Sequence, residues 1–188
     1  VFGSDDHLFA KAVFFYDDVK DFIAPKAWLE PTTPPSLYYS SQNVGHVVRK
    51  GIELSGTYAA GQFSTSVSYG LLHAVDKETN ERMNGITPQS ANLKLAYAFP
   101  AQAINVWYRA HWSKGGESSV EDRATGKKLH FSSFLTHSLG AEWSPKVADL
   151  ANLQAGIAVV NLFDKEYRML NGSYGSGRGV RLWLSAQF

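Results

Sequence analysis

Six histidines (His7, His46, His73, His111, His130 and His137) and nine tyrosines are the side chains of this 188-residue chain best suited to holding a metal or moving a proton. No cysteine accompanies them, which removes disulfide frameworks, thiolate metal sites and cysteine nucleophiles together. Six His in a chain of this length is an ordinary count, and none falls into a metal-binding spacing such as H-E-x-x-H. The run GSYGSGRG (172–179) looks like a phosphate-cradling glycine loop. Such a loop must open a helix, whereas the residues that follow alternate as a strand. ESSVEDRATGKK (117–128) mixes both signs of charge and reads as a solvated loop. There is no G-x-S-x-G and no P-loop, so the chain is not expected to be an enzyme. Eighteen Lys+Arg against 17 Asp+Glu give a formal charge of +1, which offers no basic field for nucleic acid.

The elements that must position these side chains are strands. Apolar residues recur at every second position and almost nowhere with helical spacing, so the class is all-β. In GVRLWLSAQF, Val180, Leu182, Leu184, Ala186 and Phe188 share one face, and Arg181, Trp183, Ser185 and Gln187 the other. Leu93 and Leu95, with Tyr97 and Phe99, oppose Asn92, Lys94, Ala96 and Ala98; Ile104 and Val106, with Tyr108 and Trp112, oppose Asn105, Trp107, Arg109 and His111. Phe63 to Leu71 alternates with Ser64, Ser66, Ser68 and Gly70. Further strands are expected at about 7–24, 37–60, 132–145 and 153–163, which makes eight. All seven prolines fall between or at the ends of these segments, as expected of a residue with no ladder donor. Long connections are expected at 25–36, 77–88, 115–131 and 164–178, short ones at 60–62 and 100–102, and one of moderate length at 146–152.

Short turns at one end, long polar loops at the other, and alternating strands of about ten residues form the pattern of an outer-membrane barrel. Inside hydrocarbon every backbone N–H and C=O needs a partner, which strands achieve only through ladders on both sides. On this reading Leu93, Leu95, Ile104, Val106, Val180, Leu182 and Leu184 face lipid. Tyr58, Phe63, Phe99, Trp112, Trp143 and Phe188 sit near strand ends, where aromatic rings favour the lipid boundary. Glu53, Lys94, Arg109, His111, Glu142 and Arg181 face inward. His73 falls on the lipid register near the outer rim. His137 shares a register with Leu135, Leu139 and Trp143, which places an imidazole on the outward face unless the register slips there by one residue. A soluble sandwich or lipocalin-like barrel uses the same alternation, and eight strands can also close into a small self-contained barrel of structural or adhesive function. No stretch approaches eighteen consecutive apolar residues, and the start VFGSDD has neither Met nor the regions of a signal peptide. The chain therefore reads as mature or as a piece of a longer one.

Four segments in order carry a family resemblance. VVNLFDKEYR (159–168) followed by SGRGVRLWLSAQF (176–188) resembles the end of the TonB-dependent outer-membrane receptors, through Asn161, Leu162, Phe163, Asp164, Tyr167, Gly177, Arg178 and the terminal Phe188. FFYDDVKDFI (14–23), YYSSQNVGHVVRKGIELSGTY (38–58) and TPQSANLKLAY (87–97) resemble earlier strands of the same receptors. One departure is Ser176, which stands where that family usually has Pro before the Gly-Arg pair. Asn161 is expected at the level where hydrocarbon ends and Asp164 in an Asx-type turn, while Gly177 and Gly179 free the backbone to re-enter the sheet. Phe188 is similar to the aromatic end that barrel-assembly machinery reads.

The resemblance implies an antiparallel transmembrane β-barrel of 22 strands, closed by an N-terminal plug, that imports haem or a ferric siderophore with energy delivered by TonB. Residues 1–188 then supply its last eight strands and outer loops; the plug, the TonB box and the earlier strands lie elsewhere. The implied location is the outer membrane of a Gram-negative bacterium. The implied partners are membrane lipid, the N-terminal remainder, TonB, and a haemophore or haem protein, with no nucleic acid. No cofactor is expected on this chain alone; haem, favoured by the ending NLFDKEYRMLNGSYGSGRG, or a siderophore is cargo. Tyr38, Tyr39, His130, Tyr167 and Tyr174 are the loop residues expected to face a planar, iron-bearing ligand.

Overall fold

The computed structural model describes residues 7–34, 36–146 and 152–187. They form one ten-stranded sheet: β1 (His7–Glu30), β2 (Ser36–Ala60), β3 (Phe63–Asp76), β4 (Gln89–Phe99), β5 (Ile104–Ser113), β6 (Gly116–Asp122), β7 (Lys127–Phe131), β8 (Phe134–Trp143), β9 (Asn152–Val160) and β10 (Gly179–Gln187). Eight of these are antiparallel neighbours in the order β10-β9-β8-β5-β4-β3-β2-β1, as the alternation predicts. Among the described residues no helix is long and apolar enough to cross a membrane, and β1 and β10 lie at opposite ends of this run without pairing to each other.

Period-two patterning fixes the register. One row runs Leu8, Tyr58, Thr65, Leu95, Tyr108, Leu139, Val159 and Val180 across all eight strands. A row on the opposite face runs Lys11, Ser55, Ser68, Asn92, His111 and Thr136. The apolar face is bare: Phe14 is 76% exposed, Val180 65%, and Leu182 and Leu184 both 75%. A water-soluble sheet covers such a face with a second layer. Here the small buried cluster of Ala96, Trp107 and Ala158, with Trp183 packed on it, lies on the polar face instead.

Glycines make that cluster possible. A Cβ on Gly140 would lie 2.4 Å from Cζ2 of Trp107, and one on Gly156 would lie 2.0 Å from Cζ2 of Trp183. Each indole therefore lies flat across a neighbouring strand at the one residue type that leaves room for it.

Four expectations are corrected. The segment 115–131, expected as a loop, forms the β6–β7 hairpin, so there are ten strands rather than eight. β6 leaves β5 yet pairs in parallel with β1, Ala27 to Leu29 against Val120 to Asp122. β1 continues to Glu30, so the expected connection at 25–36 shrinks to a short turn, and Pro25 lies inside a strand opposite Ser41. Proline within a strand is confined to places of this kind, where β1 has β2 on one side and, among the described residues, no strand on the other. β9 ends at Val160, and Asn161 turns the chain with φ of +48°. His137 needs no register slip: it opposes Ala110 on the apolar face and its Nδ1 lies 2.5 Å from the Tyr108 hydroxyl, which satisfies the polar ring locally.

The tight turns suit their residues. Gly61 adopts φ of +55° in the two-residue β2–β3 turn. Pro100 opens a 3-10 turn that Ala103 closes, its amide donating to the Pro100 carbonyl at 3.2 Å.

Candidate functional site: a mouth cavity and the wall below it

Two segments build the mouth. On one side β7 ends at Phe131 and β8 begins at Phe134; on the other stands the loop 161–178. Asn161, buried at the base of that loop, holds it shut. Its Nδ2 donates to the carbonyls of Lys165 (2.9 Å) and Ser176 (3.0 Å), and its Oδ1 accepts the Lys165 amide at 2.9 Å. Asp164 does not make the expected Asx turn: its Oδ1 accepts the Arg178 amide at 2.7 Å, tying the loop's two ends together. Gly177 and Gly179 are not at positive φ; the glycine of this loop that is, Gly172, has φ of +89° and packs on Val120 of β6. Leu162 donates its amide to the His137 carbonyl at 2.7 Å, and Phe163 sits edge-on to the His137 ring at 5.0 Å.

Between the segments lies a cavity of about 690 Å³ lined by His130, Phe131, Phe134, Tyr167, Arg168 and Tyr174, among others. The Tyr167 ring stacks on Phe134 with centroids 4.1 Å apart. Its other side meets Gly175, where a Cβ would lie 2.0 Å from its Cζ, so the ring is clamped. The Arg168 guanidinium lies 3.9 Å over Tyr174 and 5.7 Å from Phe131, a cation–π arrangement that spans the cavity.

Three of the five predicted vestibule residues, His130, Tyr167 and Tyr174, thus meet in one cavity. Tyr38 does not join them: it stacks on Trp28 at 6.0 Å near the tip of the β1–β2 hairpin. Tyr39 pairs opposite Ala27 in the ladder, and its side chain, like Phe188, lies outside the described residues. Sequence reading missed Phe131, Phe134 and Arg168. For Phe134 the signal was present, since it shares the inward register of Thr136 and Ser138.

Tyr167 also borders a second hollow of about 450 Å³ on the polar face, with Trp107, Arg109, Glu142, Arg181 and Trp183. Farther along that face His111 Nδ1 lies 2.7 Å from Asn92 Oδ1, and Asn92 Nδ2 donates to Ser68 Oγ at 3.1 Å. The arrangement offers flat aromatic surfaces, one imidazole, the cations Lys165 and Arg168 and the carboxylates Asp164 and Glu166 at the mouth, above a polar wall. Among the described residues no group of three or more His, Asp or Glu is placed to hold a metal ion. Leu93, Leu95, Ile104, Val106, Val180, Leu182 and Leu184 all lie on the opposite, apolar face.

Comparison with known proteins agrees with this geometry. The family model "TonB dependent receptor-like, beta-barrel" matches residues 2–162. Heme/hemopexin utilization protein C of Haemophilus influenzae is 24% identical over 186 residues, covering 97% of this chain and 26% of that protein. TonB-dependent heme receptor A of the same species is 24% identical over 169 residues, covering 82% of this chain and 22% of that protein. The chain thus spans about a quarter of the length of the curated relatives it matches. Among solved structures, the FrpB iron transporter from Neisseria meningitidis superimposes with a TM-score of 0.67 at 21% identity, over 93% of this chain and 27% of that one. The copper transporter OprC gives 0.68 at 19% identity, over 94% and 28%. An antiparallel sheet with one bare apolar face, a polar face and ordered loops at one end is therefore a segment of barrel wall, and the chain belongs to the TonB-dependent receptor-like β-barrel family.

Proposed function

We propose that this chain is the C-terminal wall and part of the outer mouth of a 22-stranded outer-membrane receptor of a Gram-negative bacterium, importing an iron-bearing ligand with TonB-supplied energy. The plug and the earlier strands belong to the N-terminal remainder of the same receptor, through which TonB acts. The bare apolar face lies against lipid, and the unpaired edges of β1 and β10 each take a neighbouring strand, since no backbone group stays unpaired in hydrocarbon. This favours a larger barrel over a self-contained eight-stranded one, which needs β1 and β10 to pair.

Haem, free or delivered by a haemophore or haem protein, is the favoured cargo, with a ferric siderophore next. The observation that carries this choice is the mouth cavity, where Phe134 and the exposed Tyr174 offer flat surfaces, Arg168 and Lys165 cations for a carboxylate, and His130 an imidazole. About 690 Å³ falls within the range of small-molecule sites. The names of the heme-utilising relatives support the same choice.

The test is haem titration of the complete receptor followed by absorbance. Tyr174→Ala removes an exposed ring of the cavity, and aromatic stacking of about 1.5 kcal/mol corresponds to a roughly tenfold weaker affinity. A complete receptor that binds a ferric siderophore and leaves the haem spectrum unchanged refutes the haem assignment.

A further inference from the structure

β1 and β2 outrun the rest of the sheet. β3 leaves β2 at Asp76, opposite Val47, yet β2 starts at Ser36 and is paired with β1 from there onward. The ten residues Ser36–Gly45 therefore rise about 34 Å beyond the end of β3. The last rung on that side is the Lys77 amide, which donates to the His46 carbonyl at 2.8 Å. Past it the chain turns away. Asp76 donates to the Glu81 carbonyl and Met83 to the Ala74 carbonyl, both at 2.9 Å, so residues 77–88 fold back on the β4 side of β3. The Glu78 carboxylate lies against Gly45 and marks the lower end of a bare edge. Among the described residues no strand or loop backbone bonds to this side of β2 above His46. The edges of β1 and β10 take further wall strands, but β2 already has both of its wall neighbours, so no missing strand of the wall closes its upper part.

This edge is undefended. Sheet edges open to water are blunted by charge, by proline or by a covering segment. The upper part of β1 has all three: Lys26, Pro25 and β6 against Ala27 to Leu29. SLYYSSQNVG (36–45) has no charge and no proline, and Tyr38, Ser40, Ser41 and Asn43 are exposed. The edge is also firmly mounted. Trp28 stacks on Tyr38 at 6.0 Å and donates its Nε1–H to Glu30 at 3.1 Å, and Arg123 of the β6–β7 turn pairs with the same carboxylate. Leu37 lies beside Gly172 of the loop that lines the mouth cavity, so the edge stands next to that cavity. Strand alternation decides which groups are on offer. His46 turns its carbonyl to this side, so Val44, Gln42, Ser40 and Tyr38 turn N–H and C=O the same way, while Asn43, Ser41 and Tyr39 face β1.

We infer that Tyr38 to Val44 form a docking edge on which an extended, uncharged segment of a protein partner adds as a further strand beside the mouth, which rests on reading the loop end of the sheet as the outer mouth. Charge selects this occupant. A charged segment loses hydration against a neutral edge and gains no ion pair, whereas an uncharged one keeps the full gain of the main-chain bonds. The edge faces the space above β3, so the wall below it holds a second receptor in the same membrane away.

The complete receptor in detergent is titrated with a fluorophore-labelled peptide of alternating Thr and Val and with the same peptide N-methylated throughout, while amide hydrogen exchange is followed. In the free receptor the amides of Tyr38, Ser40, Gln42 and Val44 are expected to exchange fast and those of Tyr39, Ser41 and Asn43 slowly. The plain peptide slows the first set, and the methylated one does not. Two main-chain bonds correspond to about thirtyfold in affinity, which S40P/Q42P loses and S40T/Q42T keeps. A first set already slow in the free receptor, equal binding of the two peptides, or wild-type affinity in S40P/Q42P overturns the docking edge. Slowing that follows receptor concentration alone gives the edge to a second copy and overturns the partner assigned to it. If S40P/Q42P fails to fold, the contrast between the two peptides on the wild-type receptor still decides. Intact cells that exclude the peptide, while solubilised receptor binds it, overturn the reading of this end as the outer mouth and leave the edge standing.

Discussion

Asn161 holds the outer loop 161–178 through three hydrogen bonds, two donated by Nδ2 and one accepted by Oδ1. Removing them has a calculable cost. At roughly 1 kcal/mol net per bond the loss is about 3 kcal/mol, which raises the population of the open loop about a hundredfold. The choice of substitution matters because Asn161 has φ of +48°. Alanine adds a left-handed backbone penalty of roughly 1–2 kcal/mol, whereas glycine removes the side chain without it. Asn161→Gly therefore isolates the hydrogen bonds, and Asn161→Ala minus Asn161→Gly measures the strain. Amide hydrogen exchange on the complete receptor reads the outcome. The Lys165 amide loses its direct acceptor and exchanges faster in either variant. The informative amides are Gly175, bonded to the Tyr167 carbonyl at 2.9 Å, and Arg178, bonded to Asp164. Both are expected to accelerate about a hundredfold with the whole loop. If Lys165 alone accelerates while Gly175 and Arg178 exchange at wild-type rates, Asn161 is a local turn residue and the reasoning fails.

Two further outcomes are expected. Gly156→Ala places a methyl group against Trp183, whose indole must leave the strand; overpacking of this kind costs about 1–3 kcal/mol, seen as a lowered Tm with a shift in tryptophan emission, and an unchanged spectrum refutes the packing. Leu182→Arg puts a charge on the bare face and is expected to destabilise folding into vesicles by about 2–4 kcal/mol if the site lies near the bilayer centre, whereas Ser185→Arg on the other face is tolerated; equal effects of the two refute the assignment of faces.

What the sequence reveals follows from periodicity. Alternation encodes the face of each residue in a strand, so the apolar side of Tyr58, Leu95, Tyr108 and Val180 and the polar side of Ser55, Ser68, Asn92 and His111 are legible in the order of residues alone, while their register across strands is not. Pairing between segments far apart carries no such signal. Ser118 and Val120 are fully buried because β6 crosses to β1 and meets the loops at Gly85 and Gly172, yet SSVED has the composition of a solvated loop. The cavity shows the same division. His130, Tyr167 and Tyr174 are recognisable as side chains with the right chemistry in loops, but their meeting depends on Asn161 folding one loop back upon itself. Tyr38 has the same chemistry in a longer hairpin and is carried away from them. The Trp107–Gly140 and Trp183–Gly156 contacts needed the register as well as the residues.

The crossing of β6 onto β1 also acts as a ruler. A strand has only two hydrogen-bonding edges, and β2 occupies one of those of β1 along its whole length. Val120 to Asp122 occupy the other from Ala27 to Leu29. Any strand that adds to this edge can therefore run beside His7 to about Lys26 and no farther. The height of any strand that joined here would be limited by a hairpin inserted more than ninety residues later in the same chain.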